Sequence, residues 1–172
     1  MSIFEGVLIL CCFLPMISIV VGSLQYGISP MPSHHSVSKN IQDLLPEDHN
    51  SLFYDLGSGW GQVAYRVAKN NPEMTVIGIE GSWLPFLFSK LFFQQPNLSF
   101  KRQDFRSFDI PKSSVVFCYL YPEGMRRIEQ WNAVKHCWVI SNTFQMYTRE
   151  SSEQRTLDDA HRSALMLYPP VG

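Results

Sequence analysis

The stretch Tyr54-Asp55-Leu56-Gly57-Ser58-Gly59-Trp60-Gly61 is where residue type and spacing first suggest chemistry. Glycines at alternate positions let a backbone turn sharply and approach a ligand closely. A helix opening behind such a turn offers its first free N–H groups to whatever the turn holds. Asp55 ends the strand before the turn, where it can accept from the loop or reach an amino group on a ligand. Glu80 follows Gly61 by 19 residues and ends a second apolar run. A carboxylate at that place can take both hydroxyls of a ribose in a bidentate grip. Asp104 follows a third run, where it could bond an adenine amino group with Phe105 beside the ring. Each signal alone has a bland explanation, since glycine turns occur without ligands and a lone strand-end carboxylate is usually a cap. Three of them, in order at three successive strand ends, point to a nucleoside-bearing cofactor. Nicotinamide dinucleotides use the same geometry, but their G-x-G-x-x-G fingerprint needs a third glycine at position 62, which is Gln62.

The elements that must position these residues follow from the apolar pattern. Short apolar or β-branched runs predict strands over 52–56, 75–79, 98–102, 114–120, 138–140 and 163–168. Helices are predicted over 36–45, with Val37, Ile41, Leu44 and Leu45 on one face, over 62–69, over 82–93 and over 123–134. Asn70-Asn71-Pro72 stops the second of these helices, and Ser82 can cap the third with Pro85 in its first turn. The polar segment 148–161 reads as exposed. Strands and helices that alternate imply a mainly parallel, Rossmann-like α/β sheet with flanking helices. Such a sheet binds its ligand at the carboxyl ends of the central strands.

The spacing Asp55-x-Gly57-x-Gly59-x-Gly61 resembles motif I of the class I methyltransferases. Residues 58–144 resemble more narrowly the short seven-strand protein-lysine methyltransferases. That group includes membrane-anchored mitochondrial enzymes acting on ATP synthase subunit c or the adenine nucleotide carrier, and compact archaeal relatives. Four further stretches carry the likeness: Pro30-Met31-Pro32-Ser33, Glu80-Gly81-Ser82-Trp83-Leu84, residues 115–123 and residues 138–144. The resemblance implies S-adenosylmethionine as cofactor and a protein substrate, membrane-associated in some relatives. It implies a cofactor site of Asp55, Gly57, Ser58, Gly59, Gly61, Glu80, Gly81, Asp104, Phe105 and Leu120. Tyr121, where the fourth strand meets the methyl group, is the candidate catalytic residue, either through its hydroxyl or alongside a nearby backbone carbonyl; the alternative is that Tyr119 and Tyr121 only pack the core. Methyl transfer is an in-line displacement that needs alignment and exclusion of water more than a catalytic triad.

Composition narrows the partners. Lys and Arg number 14 against 15 Asp and Glu, so no basic field exists to gather nucleic acid. Lys101-Arg102 and Arg126-Arg127 read as solvated faces. Nucleic-acid amino-methylation also calls for an Asn or Asp before Pro-Pro-aromatic, where this chain has Tyr119-Leu120-Tyr121-Pro122. The four cysteines form no C-x-x-C pair, and His34-His35 has no third ligand nearby, so no metal site is expected.

Residues 6–24 contain no charge and are long enough to span a bilayer as a helix. A cleaved signal peptide is the rival, but Glu5 stands where a basic n-region belongs. The first basic residue, Lys39, follows the run and places the C-terminal side in the cytoplasm. The expected organisation is an anchor and linker over 1–29 and a catalytic domain over 30–172.

Overall fold

The computed structural model describes Glu5, Phe13, residues 35–159 and residues 162–171. The expected membrane helix over 6–24 and the proline-rich lead-in at 30–33 lie outside the described residues, Phe13 apart. Among the described residues no helix is long and apolar enough to cross a membrane.

Helix α1 (His35–Asp43) precedes strand β1 (Leu52–Leu56). Then come α2 (Gln62–Asn70), β2 (Thr75–Glu80), α3 (Trp83–Phe92) and β3 (Leu98–Arg102). A 3-10 turn (Phe105–Ser107) leads to β4 (Val115–Cys118), α4 (Pro122–Gln130), the short α5 (Asn132–Lys135) and β5 (Trp138–Asn142). Strands β6 (Glu153–Thr156) and β7 (Ala164–Tyr168) close the chain.

One seven-stranded sheet results, in the order β3-β2-β1-β4-β5-β7-β6. Strands β1 to β5 run parallel, and β7 enters antiparallel between β5 and β6. Direction out of β1 reverses: β2 and β3 stack on one side, β4 and β5 on the other. The carboxyl end of β1 is therefore a topological switch point, where open α/β sheets bind ligands.

Alternation along each strand divides the core between the two sheet faces. Tyr54, Leu56, Val116, Cys118 and Val139 pack one face under α4 and α5. Phe53, Val115, Phe117 and Ile140 pack the other, against α1 and α2. All four residues of β4 are buried, which is why it reads as a continuous apolar run. Helix α2 buries Val63, Ala64, Val67 and Ala68, and Asn71 ends it by donating through Nδ2 to the Val67 carbonyl at 2.9 Å. Cys118 and Cys137 are free and buried, and burial pushes the Cys118 thiol up to about 12, leaving it inert.

One expectation needs correction, and one strand carries no sequence signal. The helix predicted over 123–134 is two helices, because Trp131 takes an extended conformation with ψ of 113° between them. The polar segment 148–161 contains β6, a strand whose side chains are mostly exposed. Sitting at the sheet edge, β6 pairs only with β7 and buries no face, so no apolar alternation marks it.

Candidate methyl-transfer site

The glycine turn lies at the switch point and is built on backbone that side chains resist. Gly57, Gly59 and Gly61 have φ of 74°, 53° and 85°. At Gly61 conformation and space both demand glycine: an added Cβ would sit 2.7 Å from Ser89 Cβ and 2.8 Å from Phe100 Cζ. The N–H groups of Gly57 and Ser58 donate to the Ile79 carbonyl at 2.8 and 3.0 Å, tying the turn to β2. Gly61 N–H donates to the Ser58 carbonyl at 2.8 Å, and Gly61 carbonyl receives Tyr65 N–H to start α2.

Glu80 holds this turn from the neighbouring strand. Its carboxylate is buried; Oε2 accepts from Gly59 N–H at 2.8 Å and Oε1 from Ser82 N–H at 2.7 Å. One side chain thus fixes both the glycine turn and the start of α3. Each carboxylate oxygen has two lone pairs, so each keeps acceptor capacity. Gly81, between Glu80 and Ser82, is half-buried.

Asp55 sits at the end of β1 and is fully buried. Burial pushes its carboxyl up to about 7; a hydrogen bond from the Ala64 backbone N–H pulls it down, and the nearby Glu80 pushes it up further. Among the described residues its Oδ2 has no hydrogen-bond partner, and neither does the buried Ser58 Oγ. Buried acceptors without partners are uncommon in folded proteins and call for an explanation. Here both belong to one turn whose N–H groups and glycines allow close approach. That donor and acceptor set fits a polar ligand with amino and hydroxyl groups.

The remaining predicted residues separate into those facing the strand ends and those facing inward. Asp104 is half-buried after β3, and its carbonyl accepts from Ser107 N–H and Oγ. Phe105 is buried in the core, its ring 6.2 Å from that of Trp131. Leu120 is fully buried against Gly124, so only its backbone is available near the strand end. Tyr121 is exposed at the start of α4, with its ring 5.7 Å from that of Phe144. Tyr119 stacks on the same Phe144 at 6.3 Å. Three rings therefore gather where β4 and β5 end. Beside them Asn142 is buried and accepts from Thr143 Oγ1 at 3.2 Å, while Thr143 has φ of 69°. The turn at Thr143 folds Phe144 back, with Phe144 N–H donating to the Asn142 carbonyl at 2.8 Å. Phe144 was not singled out by sequence reasoning, because nothing in residue type announces a positive φ at a threonine.

The family model of the ANTKMT methyltransferase domain matches residues 55–153, from the end of β1 to the start of β6. The chain belongs to this family. Its fold is that of the class I S-adenosylmethionine-dependent methyltransferases. It is also 32% identical over 111 residues to trans-aconitate 2-methyltransferase from Deinococcus radiodurans, across 60% of this chain. It spans only 42% of that relative's length. Among solved structures it is similar to an RNA methyltransferase from Salinibacter ruber in complex with S-adenosyl-L-homocysteine. The TM-score is 0.70 at 20% identity, covering 83% of this chain and 95% of that one. A TehB-like SAM-dependent methyltransferase from Corynebacterium glutamicum matches with a TM-score of 0.57 at 10% identity, over 81% and 89% of the two chains. At such identities the structural likeness is one of fold.

Proposed function

We propose that the domain transfers the methyl group of S-adenosylmethionine to a lysine side chain of a protein, at the cytosolic side of a membrane. The observation that carries the cofactor half is the unpartnered Asp55 Oδ2, buried beside a glycine turn that Glu80 holds open. In this reading the turn of Gly57, Ser58, Gly59 and Gly61 and the half-buried Gly81 line the cofactor's path. Asp55 accepts from its amino group, Glu80 takes the ribose hydroxyls with its spare lone pairs, and Asp104 reaches the adenine amino group. Phe105 and Leu120 support that site from the core. Bound there, the cofactor supplies a methyl group on a sulfonium whose departure leaves a neutral thioether.

The acceptor half rests on the rings of Tyr119, Tyr121 and Phe144. Packed aromatic rings exclude water from an alkyl amine laid against them. Desolvation lowers the amine pKa, which is the step a lysine needs before it can attack. In this reading the Tyr121 hydroxyl orients the amine by accepting from it.

A small carboxylic-acid acceptor is the second reading, favoured by the trans-aconitate relative. A carboxylate would want a guanidinium at the ring cluster. The cations nearest Tyr121 in sequence are engaged elsewhere: Arg126 lies over Tyr147 and Arg127 pairs with Glu123 at 3.3 Å.

The test uses the full chain with methyl-labelled S-adenosylmethionine and membrane extracts, followed by hydrolysis of the labelled product. Label recovered as methyl-lysine supports the reading, with Tyr121→Phe lowering kcat at least tenfold and leaving the unfolding midpoint in place. Label in small acids refutes lysine as the acceptor. Cofactor binding without any transfer makes the domain a membrane-bound scaffold that keeps the fold.

A further inference from the structure

Helix α3 is amphipathic in the wrong sense for a helix packed on a sheet. Its one neutral polar side chain, Ser89, is fully buried and donates through Oγ to the Phe86 carbonyl at 2.9 Å. Its outward face is apolar. Trp83, Leu87 and Leu91 recur at helical spacing and are 55%, 44% and 68% exposed, and Phe92 is 68% exposed. Leu84 and Phe88 are half-buried beside them. The patch does not stop at the helix. Phe88 meets Trp60 of the glycine turn edge-on at 5.1 Å, and Phe92 lies 4.6 Å from Phe88 between ring centroids. Contiguous exposed apolar surface on this scale marks an interaction site.

The charges around the patch select its occupant. Residues 81–103, which include α3 and β3, carry Lys90, Lys101 and Arg102 and no Asp or Glu. The whole chain, by contrast, has a net charge of −1. Arg102 lies 3.9 Å over the Trp83 ring and Lys90 5.7 Å over Phe86, whereas Lys101 points to the other face of the sheet, over Phe108. Exposed tryptophan, phenylalanine and leucine with cations laid over the helix's own rings is the composition of a helix that lies in a lipid interface. A protein partner would also cover the apolar face, but it gives no reason for cations over two of its rings. The uncharged run over residues 6–24 places apolar chain of membrane length in the same molecule.

We infer that the α3 face, from Trp83 to Phe92 with Lys90 and Arg102 beside it, is a contact surface for an anionic lipid bilayer. With α3 lying along the bilayer, the glycine turn sits beside the membrane through the Trp60–Phe88 contact. The inference holds whichever acceptor the enzyme methylates.

The test reconstitutes the full chain into vesicles whose acyl chains carry bromine, with and without anionic lipid, and reads tryptophan emission. Trp83→Phe, a change at an exposed side chain, isolates the Trp83 contribution by difference. Residues 6–24 can hold the chain on the vesicle without bringing Trp83 to acyl-chain depth, so quenching of this one residue reports the α3 face. The expected result is loss of about half or more of Trp83 emission in anionic vesicles, as an interfacial helix buried at the headgroup boundary requires. That quenching should fall when Leu87→Glu and Leu91→Glu are introduced together, while the chain remains on the vesicle. Unquenched Trp83 in vesicle-bound chain overturns the inference, whether the face is then covered by residues 6–24 or by a second copy. Equal quenching in purely zwitterionic vesicles overturns the anionic assignment.

Discussion

Replacing Asp55 by Asn should stabilise the free domain at alkaline pH and weaken it as a cofactor binder. Burial raises the Asp55 carboxyl from its ordinary 3.8 to about 7. Below pH 3.8 the group is protonated in folded and unfolded chains alike and contributes nothing. Between 3.8 and 7 the unfolded chain releases its proton while the folded chain keeps it, so stability falls as pH rises. Above 7 the folded chain carries a buried carboxylate and the full penalty, at most about 4 kcal/mol for a shift of roughly three units. Asn removes that penalty and keeps an oxygen for the Ala64 N–H. It also places an amide N–H2 where Oδ2 has no partner, which costs about 1–3 kcal/mol. The net expectation is a gain of about 1–3 kcal/mol at pH 8 and a neutral or negative effect at pH 4. Urea unfolding of both proteins at pH 4, 6 and 8 measures this. Calorimetry at pH 8 should show cofactor affinity down at least tenfold in the variant. A stability difference that does not change between pH 4 and 8 would refute the buried, proton-holding carboxyl.

Two other perturbations probe the supports of the turn. Glu80→Gln leaves one oxygen to serve two buried N–H groups, so either Gly59 or Ser82 loses its acceptor. Stability should fall by about 1–3 kcal/mol, with cofactor affinity lost because the ribose grip is broken; unchanged affinity in calorimetry would show that Glu80 only ties the loop. Gly61→Ala forces an L side chain into φ of 85° and against Ser89 and Phe100. A loss of about 2–5 kcal/mol in urea unfolding is expected, partly recovered by adding Phe100→Leu; no recovery in the double-mutant cycle would mean the strain is all backbone.

How much of this was legible depends on what each residue's neighbours are. Strands β1, β2 and β4 could be read because both faces of the sheet are covered there, so apolar residues dominate all three and run unbroken in β4. Strand β6 could not, because an exposed edge has no apolar face to advertise. The glycine turn was readable since positive φ is what glycine is for, whereas the same backbone at Thr143 is a tertiary effect. Leu120 shows a signal that was present: strand alternation puts Val116, Cys118 and Leu120 on one buried face. Its side chain therefore points away from a ligand at the strand end. The grip of Glu80 on Gly59 joins residues 21 apart in sequence, and only the parallel pairing of β1 with β2 brings them together.

The outward face of α3 shows the limit from the other side. A nearly all-apolar helix reads as core or as a membrane-facing surface in any sequence window, and only the fold reveals that its serine points in and its tryptophan out. The two unusual features of the molecule then meet at one place. Ser82, held by Glu80, starts α3, and Trp60, inside the glycine turn, rests on Phe88 of the same helix. A ligand that satisfies Asp55 and Glu80 bears on the backbone that sets the beginning of the apolar face. Whatever covers that face bears in turn on the turn through Trp60. Binding energies at the two places are therefore expected to be linked, and by thermodynamic reciprocity each should strengthen or weaken the other by the same factor. Cofactor affinity measured with the full chain in anionic and in zwitterionic vesicles reads that factor directly, and a ratio of one would show the two sites to be independent.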